Sequence, residues 1–110
     1  MRAPTASGSF EDGLDAYNIG DYATALRLWR PLAEHGLADA QHNFGIMYGT
    51  GRGVPQNYVQ AHKWFNLAAI QGHKKAQKNR DIAARKMTPS QITEAEKLTR
   101  EWSAQHKKAK

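Results

Sequence analysis

Few side chains in this chain have the types and spacing that catalysis requires, namely a nucleophile, a base and a stabilising group that converge. Its serines and threonines fall mostly at predicted helix caps or tails, and the sequence contains no Gly-x-Ser-x-Gly, P-loop or His-Glu-x-x-His motif. His35 and His73 lie beside helix-ending glycines and can meet in neighbouring turns, either as metal ligands or as surface histidines favoured at helix C-termini. We predict no enzymatic activity, no metal and no cofactor.

Two asparagines are better candidates for contact with a ligand. Asn43 and Asn79 are 36 positions apart and fall at equivalent places on two predicted helices. Each side chain either contacts a ligand or bonds to the backbone of a neighbouring helix and fixes the packing, and the sequence leaves both interpretations open. The side chains predicted to complete a binding surface with them are Asp39, His42, Ile46, Lys75, Lys78 and Arg85.

The elements that position these residues come from a repeat of 21 residues. Residues 21–41 match residues 57–77 after a shift of 36 positions. A fixed period of about 20–50 residues is typical of stacked-repeat proteins. The identical pairs are Tyr22 with Tyr58, Ala25 with Ala61, Ala33 with Ala69, Gly36 with Gly72, Ala40 with Ala76, and Gln41 with Gln77.

Apolar residues recur at helical spacing through most of the chain, and the sequence predicts six helices. Asp21, Asn57 and Thr88 are predicted N-caps, the last with Gln91 in a capping box. Pro31 predicts a kink in the second helix. The expected helices cover about residues 10–18, 22–36, 38–49, 58–72, 74–87 and a last stretch that begins at Pro89.

The fifth helix differs from the third in a way that predicts the end of a stack. Arg80 stands where the repeat has Phe44, and Asp81 stands where it has Gly45. Burying these charges between helices is costly, so this side is predicted to face water while the sixth helix closes the core. We expect one domain at residues 10–106, a disordered segment at residues 1–9 and a basic tail at residues 107–110.

Composition restricts the remaining choices. The chain has 110 residues, no cysteine and a net charge of +6, and no apolar run approaches the roughly 18 residues that span a bilayer. Residues 1–60 contain four basic and six acidic side chains, whereas residues 61–110 contain twelve basic and four acidic ones. This asymmetry indicates either an ordinary solvated surface or a basic half that attracts anionic partners.

A specific pattern of small and aromatic residues runs through residues 40–77. It consists of Ala40, Asn43, Gly45, Met47-Tyr48, Gly51, Gly53-Val54, Ala61, Trp64-Phe65, Ala68-Ala69, Gly72 and Ala76. This pattern resembles one full Sel-one-like repeat, a branch of the tetratricopeptide superfamily. Residues 13–36 resemble a shorter version, and residues 76–104 resemble the closing segment of small bacterial members.

The resemblance implies an all-α fold, a right-handed α/α superhelix of about three antiparallel helix pairs with a capping C-terminal helix. The first helix of each pair would line the concave face, where the candidate residues above would bind a partner. Family members generally act as scaffolds or adaptors for other proteins, and many are exported in bacteria. One cysteine-rich branch is linked to β-lactam binding, which a chain without cysteine is not expected to share.

The leading hypothesis is therefore a non-enzymatic scaffold that binds a peptide or helix of another protein on its concave face. The alternative is binding of nucleic acid or of an anionic lipid or cell-wall surface through the basic C-terminal half. Against nucleic acid, lysines alternate with glutamates on the last helix. Three pairs are near the minimum for a stable array, so a homodimer through an open end is a further hypothesis. The compartment is left open.

Overall fold

The computed structural model describes residues 6–108, with side chains from Ser9 to His106. These residues form helices and connecting loops and contain no strand, so the all-α prediction is confirmed. The helices are α1 (Ala6–Asn18), α2 (Tyr22–Glu34), α3 (Ala38–Thr50), α4 (Tyr58–Ile70), α5 (Lys74–Arg85) and α6 (Pro89–Lys108).

Side chains that accept hydrogen bonds from free backbone amides begin three of these helices, as predicted. Asp21 and Asn57 each accept from the amide three residues later, at 3.3 and 3.1 Å. The capping box before α6 is complete, because Gln91 N donates to Thr88 Oγ1 at 3.1 Å and Thr88 N donates to Gln91 Oε1 at 2.9 Å. Local chemistry thus determines where these helices start.

Glycine ends the second helix of each repeat. Gly36 and Gly72 follow α2 and α4 with φ of 98° and 95°. Space beside both residues is open, so the left-handed backbone conformation, rather than close packing, requires glycine there.

Two predicted boundaries are wrong. Residues 6–9 are helical in α1 rather than disordered, while residues 1–5 lie outside the described range. Helix α5 ends at Arg85, two residues before the predicted Met87. Helix α6, for which no end was predicted, continues through Lys108. The amphipathic pattern extends α6, since 20 residues of continuous helix carry its apolar stripe to Trp102 and His106.

The helices stack in two layers. Each helix from α1 to α4 packs against the next one along the chain, and α3 also touches α5. Helix α6 packs against α4 and makes few contacts with α5. One layer therefore contains α1, α3 and α5, and the other contains α2, α4 and α6, which is the arrangement of an α-helical solenoid.

Aromatic side chains form the core between the layers. The Trp29 ring lies 5.9 Å from that of Phe10, and its Nε1 donates to the Phe10 carbonyl at 3.0 Å. Further along the stack, Trp64 meets Phe44 edge to face at 5.2 Å and Trp102 at 6.1 Å. Helix α6 thus closes the core through Trp102, as predicted.

Close approach of the paired helices depends on two buried glycines. A Cβ atom on Gly45 would lie 2.6 Å from the Phe65 ring, and one on Gly13 would overlap the Trp29 indole. Phe65 and Trp29 are one repeat apart, so both complete pairs use the same contact. In α5 the corresponding residue is Asp81, whose side chain is 63% exposed, because no later helix pair packs there.

Candidate partner-binding groove

Four polar side chains connect the start of α3 to the start of α5, and we call them the polar cluster: Asp39, His42, His73 and Asn79. His73 Nε2 lies 3.0 Å from Asp39 Oδ1. The imidazoles of His73 and His42 stack with ring centroids 4.5 Å apart. Asn79 Nδ2 lies 2.9 Å from His42 Nε2. The structure therefore brings together three of the predicted site residues, with His73 between them.

The partners of each nitrogen determine where the protons lie. His73 Nδ1 accepts from the backbone amide of Ala76 at 3.1 Å and so caps α5. Neutral His73 consequently carries its hydrogen on Nε2 and donates it to Asp39. Asn79 can only donate through Nδ2, so His42 Nε2 accepts and its hydrogen lies on Nδ1.

His42 is held neutral by its surroundings. Its side chain is buried beside the Phe65 ring, with centroids 5.8 Å apart. Burial is the main cause that lowers the pKa of His42 to about 4, and repulsion from the His73 imidazole when that ring is protonated acts in the same direction. A hydrogen bond with Asn43 and the charge of Asp39 oppose this effect, whereas the charge of Lys75 adds to it. At neutral pH this imidazole acts as a hydrogen-bonding group without charge.

An apolar cavity of about 290 Å³ opens beside the polar cluster, between α3, α4 and α5. Ile46, Phe65 and Ala83 form its apolar lining, and Ile82 is 47% exposed at its edge. Asn79 also lines it, so the amide joins the cavity to the polar cluster. We call the cavity and the polar cluster together the groove.

A smaller cavity of about 160 Å³ lies between α1 and α3. It is lined by Asn43 and Ile46 together with Leu14, Tyr17 and Trp29. The two asparagines thus occupy equivalent positions but line different cavities, Asn79 the larger one and Asn43 the smaller one.

The bond to the backbone of a neighbouring helix, considered above for Asn43, is made by glutamines. Gln41 Nε2 donates to the Ala33 carbonyl at 3.2 Å, and one repeat later Gln77 Nε2 donates to the Ala69 carbonyl at 3.4 Å. Gln71 Nε2 further donates to Gln41 Oε1 at 2.9 Å. The identity of Gln41 and Gln77 in the repeat was the available signal for this role.

The predicted cations lie on the exposed surface of α5, outside the polar cluster. Lys75, Lys78 and Arg85 are all exposed. Lys75 lies close enough for its charge to lower the pKa of His42. Lys78 and Arg85 make no hydrogen bond or ion pair with the polar cluster and do not line the cavity.

His73 stacks on His42 rather than meeting His35, a possibility that the sequence had left open. His35 Nδ1 lies 2.7 Å from the Pro31 carbonyl, and its side chain lines a separate cavity with Trp102 and His106. The role of His73 was missed because only its neighbouring glycine was considered. Its position directly before Lys74 marks it as the N-cap of α5.

The described residues also bear on metal binding and on spanning a membrane. Residues 6–108 contain no group of three or more His, Cys, Asp or Glu side chains placed to hold a metal ion. None of the helices in this range combines the length and apolar character needed to span a membrane.

Known proteins share this repeat and this fold. The family model described as Sel1 repeat matches residues 38–73, which contain α3, the next loop and α4. A solved structure of a protective antigen present in uropathogenic Escherichia coli strains, described as displaying an SLR fold, is similar with a TM-score of 0.82 and 33% identity. The similarity covers 89% of this chain and 22% of that chain, so this chain spans about a fifth of its length. A comparison with curated proteins found no match.

The layered helices and the repeated glycine–aromatic contact define an α-helical repeat solenoid. The chain contains a Sel1 repeat at residues 38–73 and folds like the SLR-fold antigen, which confirms the resemblance predicted from its residue pattern. This repeat fold generally serves as a scaffold for protein–protein interaction.

Proposed function

We propose that this protein is a non-enzymatic interaction scaffold that binds a peptide or helix of another protein in the groove between α3 and α5. The observation that carries the proposal is the cavity of about 290 Å³, which has an apolar lining with Ile82 exposed at its edge, beside the hydrogen-bonded amide of Asn79. Apolar burial would supply most of the affinity, and the amide would orient the bound segment.

The groove is held in shape before any partner binds. Asn79 is fixed by its hydrogen bond to His42, which in turn stacks on His73. His73 is anchored at both nitrogens, by Asp39 and by the start of α5. Because these side chains are already ordered, binding a partner costs less conformational entropy.

The same bonds favour binding over catalysis. The Asp39–His73 pair has the geometry that orients a catalytic base, but both nitrogens of His73 are engaged. A general base needs a free nitrogen within hydrogen-bond reach of the proton that it removes. His42 accepts from Asn79 through Nε2 and is buried. Both imidazoles therefore serve as structural groups in this proposal.

Site-specific crosslinking in the native cell tests the proposal. A photoreactive phenylalanine analogue at Ile82 should crosslink to a discrete protein partner, because Ile82 borders the groove and is 47% exposed. The matched control is Ile70, which is 68% exposed but lines the separate cavity near Trp102. Equal crosslinking at both positions, or none at Ile82, would contradict the proposal.

One observation favours a second candidate, which is binding of nucleic acid or of an anionic surface. Helix α5 contains five basic side chains and one acidic side chain, although Arg80 donates to Asn66 Oδ1 at 3.1 Å and is less available. Titration with duplex DNA and with anionic vesicles between 50 and 200 mM salt checks this candidate. Affinity that falls steeply with salt would support it, and affinity that stays undetectable at 50 mM would reject it.

A further inference from the structure

One face of α5 carries a regular stripe of side chains along the groove. Lys75, Asn79, Ile82 and Lys86 follow each other at intervals of four, three and four residues. Residues at this spacing lie on one side of a helix. Asn79, Ile82 and Lys86 line the apolar cavity, and Lys75 acts on nearby His42 through its charge. The stripe thus has a cation at each end and an amide and an isoleucine between.

We infer that the segment bound in the groove is acidic at both ends and apolar in the middle. This inference rests on the proposed function and adds the chemistry of the partner. Carboxylates of the bound segment would pair with Lys75 and Lys86, and an apolar side chain between them would enter the cavity beside Ile82.

The charges around the groove favour an acidic segment over a basic one. Lys86 is the one charged residue among those that line the cavity. The one carboxylate on α3 and the one on α5 are already engaged, Asp39 with His73 at 3.0 Å and Asp81 with Arg80 at 3.3 Å. The exposed cations Lys75 and Lys86 have no such partner among the ion pairs of the described residues, so complementary charge on a partner would steer and orient it.

The size of the cavity indicates a side chain rather than a small-molecule ligand. Its volume of about 290 Å³ lies at the lower limit of the roughly 300–1,000 Å³ of small-molecule sites. Leucine, isoleucine or phenylalanine would place a large apolar group there. A more polar residue would leave Ile46 and Phe65 without a favourable contact.

The length of the stripe sets the spacing of the two acidic groups. The eleven residue steps from Lys75 to Lys86, at about 1.5 Å each, separate the two positions by roughly 16 Å along the helix. An extended segment advances about 3.3 Å per residue, so its acidic residues should lie about five positions apart. A helical segment would instead need them about eleven positions apart.

Selection from a random library of 12-residue peptides displayed on phage, against the intact chain, tests the inference. Enriched sequences should contain an apolar residue flanked by aspartate or glutamate at one of these two spacings. The double variant Lys75→Glu with Lys86→Glu should lower the affinity of the enriched peptides at least about tenfold, measured by fluorescence anisotropy.

The control makes the same change of charge elsewhere on the surface. Lys97 and Arg100 are exposed on α6, and Lys97→Glu with Arg100→Glu should change the affinity less than about threefold, since exposed charges far from the groove are screened. All four positions are exposed, so both double variants should keep the helical circular dichroism of the parent chain.

Any of three results would overturn the inference. These are no enrichment, enriched peptides without acidic residues, and an affinity that the Lys75→Glu, Lys86→Glu double variant leaves unchanged. Crosslinking at Ile82 distinguishes this failure from failure of the proposed function. If a protein crosslinks at Ile82 but not at Ile70 and the library shows no preference for acidic residues, the proposed scaffold function stands and the acidic segment is rejected. Loss of both results rejects the groove itself.

Discussion

Helices α3 and α5 hold the same position in successive repeats but meet different surroundings. Helix α3 packs against α2 and α4 and touches α5, whereas α5 packs mainly against α4 and touches α3. Where α3 has buried Phe44 and Gly45, α5 has Arg80 and Asp81. The same backbone element thus provides a packing surface in the middle of the stack and a charged surface at its end.

The difference explains why the proposed binding residues concentrate on α5. A helix covered on both sides has little surface left for a partner, and α3 contributes mainly Ile46 and the anchored His42 to the groove. Helix α5 offers Ile82 and exposed lysines because no later pair covers it. An end repeat can therefore bind a ligand without disturbing the core.

Removing the aromatic ring of Phe44, which is buried on α3, should have the largest effect on the free energy of unfolding. Phe44 is 1% exposed and contacts Trp64 edge to face, so Phe44→Ala should lower the free energy of unfolding by about 3–5 kcal/mol. The matched change Arg80→Ala should cost less than about 1 kcal/mol, since partly exposed polar contacts contribute little. Urea unfolding of both variants measures the difference, and equal losses would contradict the comparison.

Adding one methyl group at Gly45 should have a smaller effect on the free energy of unfolding. A Cβ atom on Gly45 would lie 2.6 Å from the Phe65 ring, so Gly45→Ala should destabilise the fold by about 1–3 kcal/mol, even after the gain in helix propensity. The control Asp81→Ala should change the free energy of unfolding by less than about 0.5 kcal/mol, because Asp81 lies on the surface. Thermal unfolding checks both, and a stabilised Gly45→Ala would show that Phe65 can move aside.

Acidification should weaken the link between α3 and α5. The folded chain holds the pKa of His42 at about 4 instead of 6.5, so between these values the unfolded chain binds more protons. Stability from neutral His42 is complete above pH 6.5 and decreases as the pH falls toward 4. We expect a loss on the order of 1–2 kcal/mol after allowance for solvent screening.

The variant His42→Gln isolates this contribution from the other titrating groups. His62 is also buried, and burial lowers its pKa as well, so part of the acid sensitivity should remain in the variant. Urea unfolding at pH 7 and pH 4.5 measures the two chains. An identical change in both would show that His42 contributes nothing to the pH dependence.

Much of the fold could be predicted because its signals are local. Asp21, Asn57 and Thr88 marked helix starts through side chains that bond to amides three residues away. The period of 36 residues indicated stacking before any contact was known. The start of α1 was placed four residues late and the end of α5 two residues late, because neither position carries a signal as clear as Asp21 or Gly36.

The candidate site was predicted less completely. Asp39, His42 and Asn79 were selected from their place on the helices, but His73 was considered only beside His35 and not as their neighbour. Ile82 and Lys86, which complete the stripe on α5, were not selected. Their relevance depends on which side of α5 faces α3, and periodicity within one helix does not define that rotation.

The sequence by itself determined the class of this protein. Caps and helix-ending glycines act through neighbours a few positions apart, and the repeat is visible as a shift of 36 positions in the chain. Only the tertiary structure decided that His42 is buried and neutral, that His73 joins two helices and that an apolar cavity opens beside Asn79. These features arise from residues more than 30 positions apart in the chain. The distances between these side chains and their exposure to water are set when the helices pack. The charge of His42 and the binding of a partner depend on both.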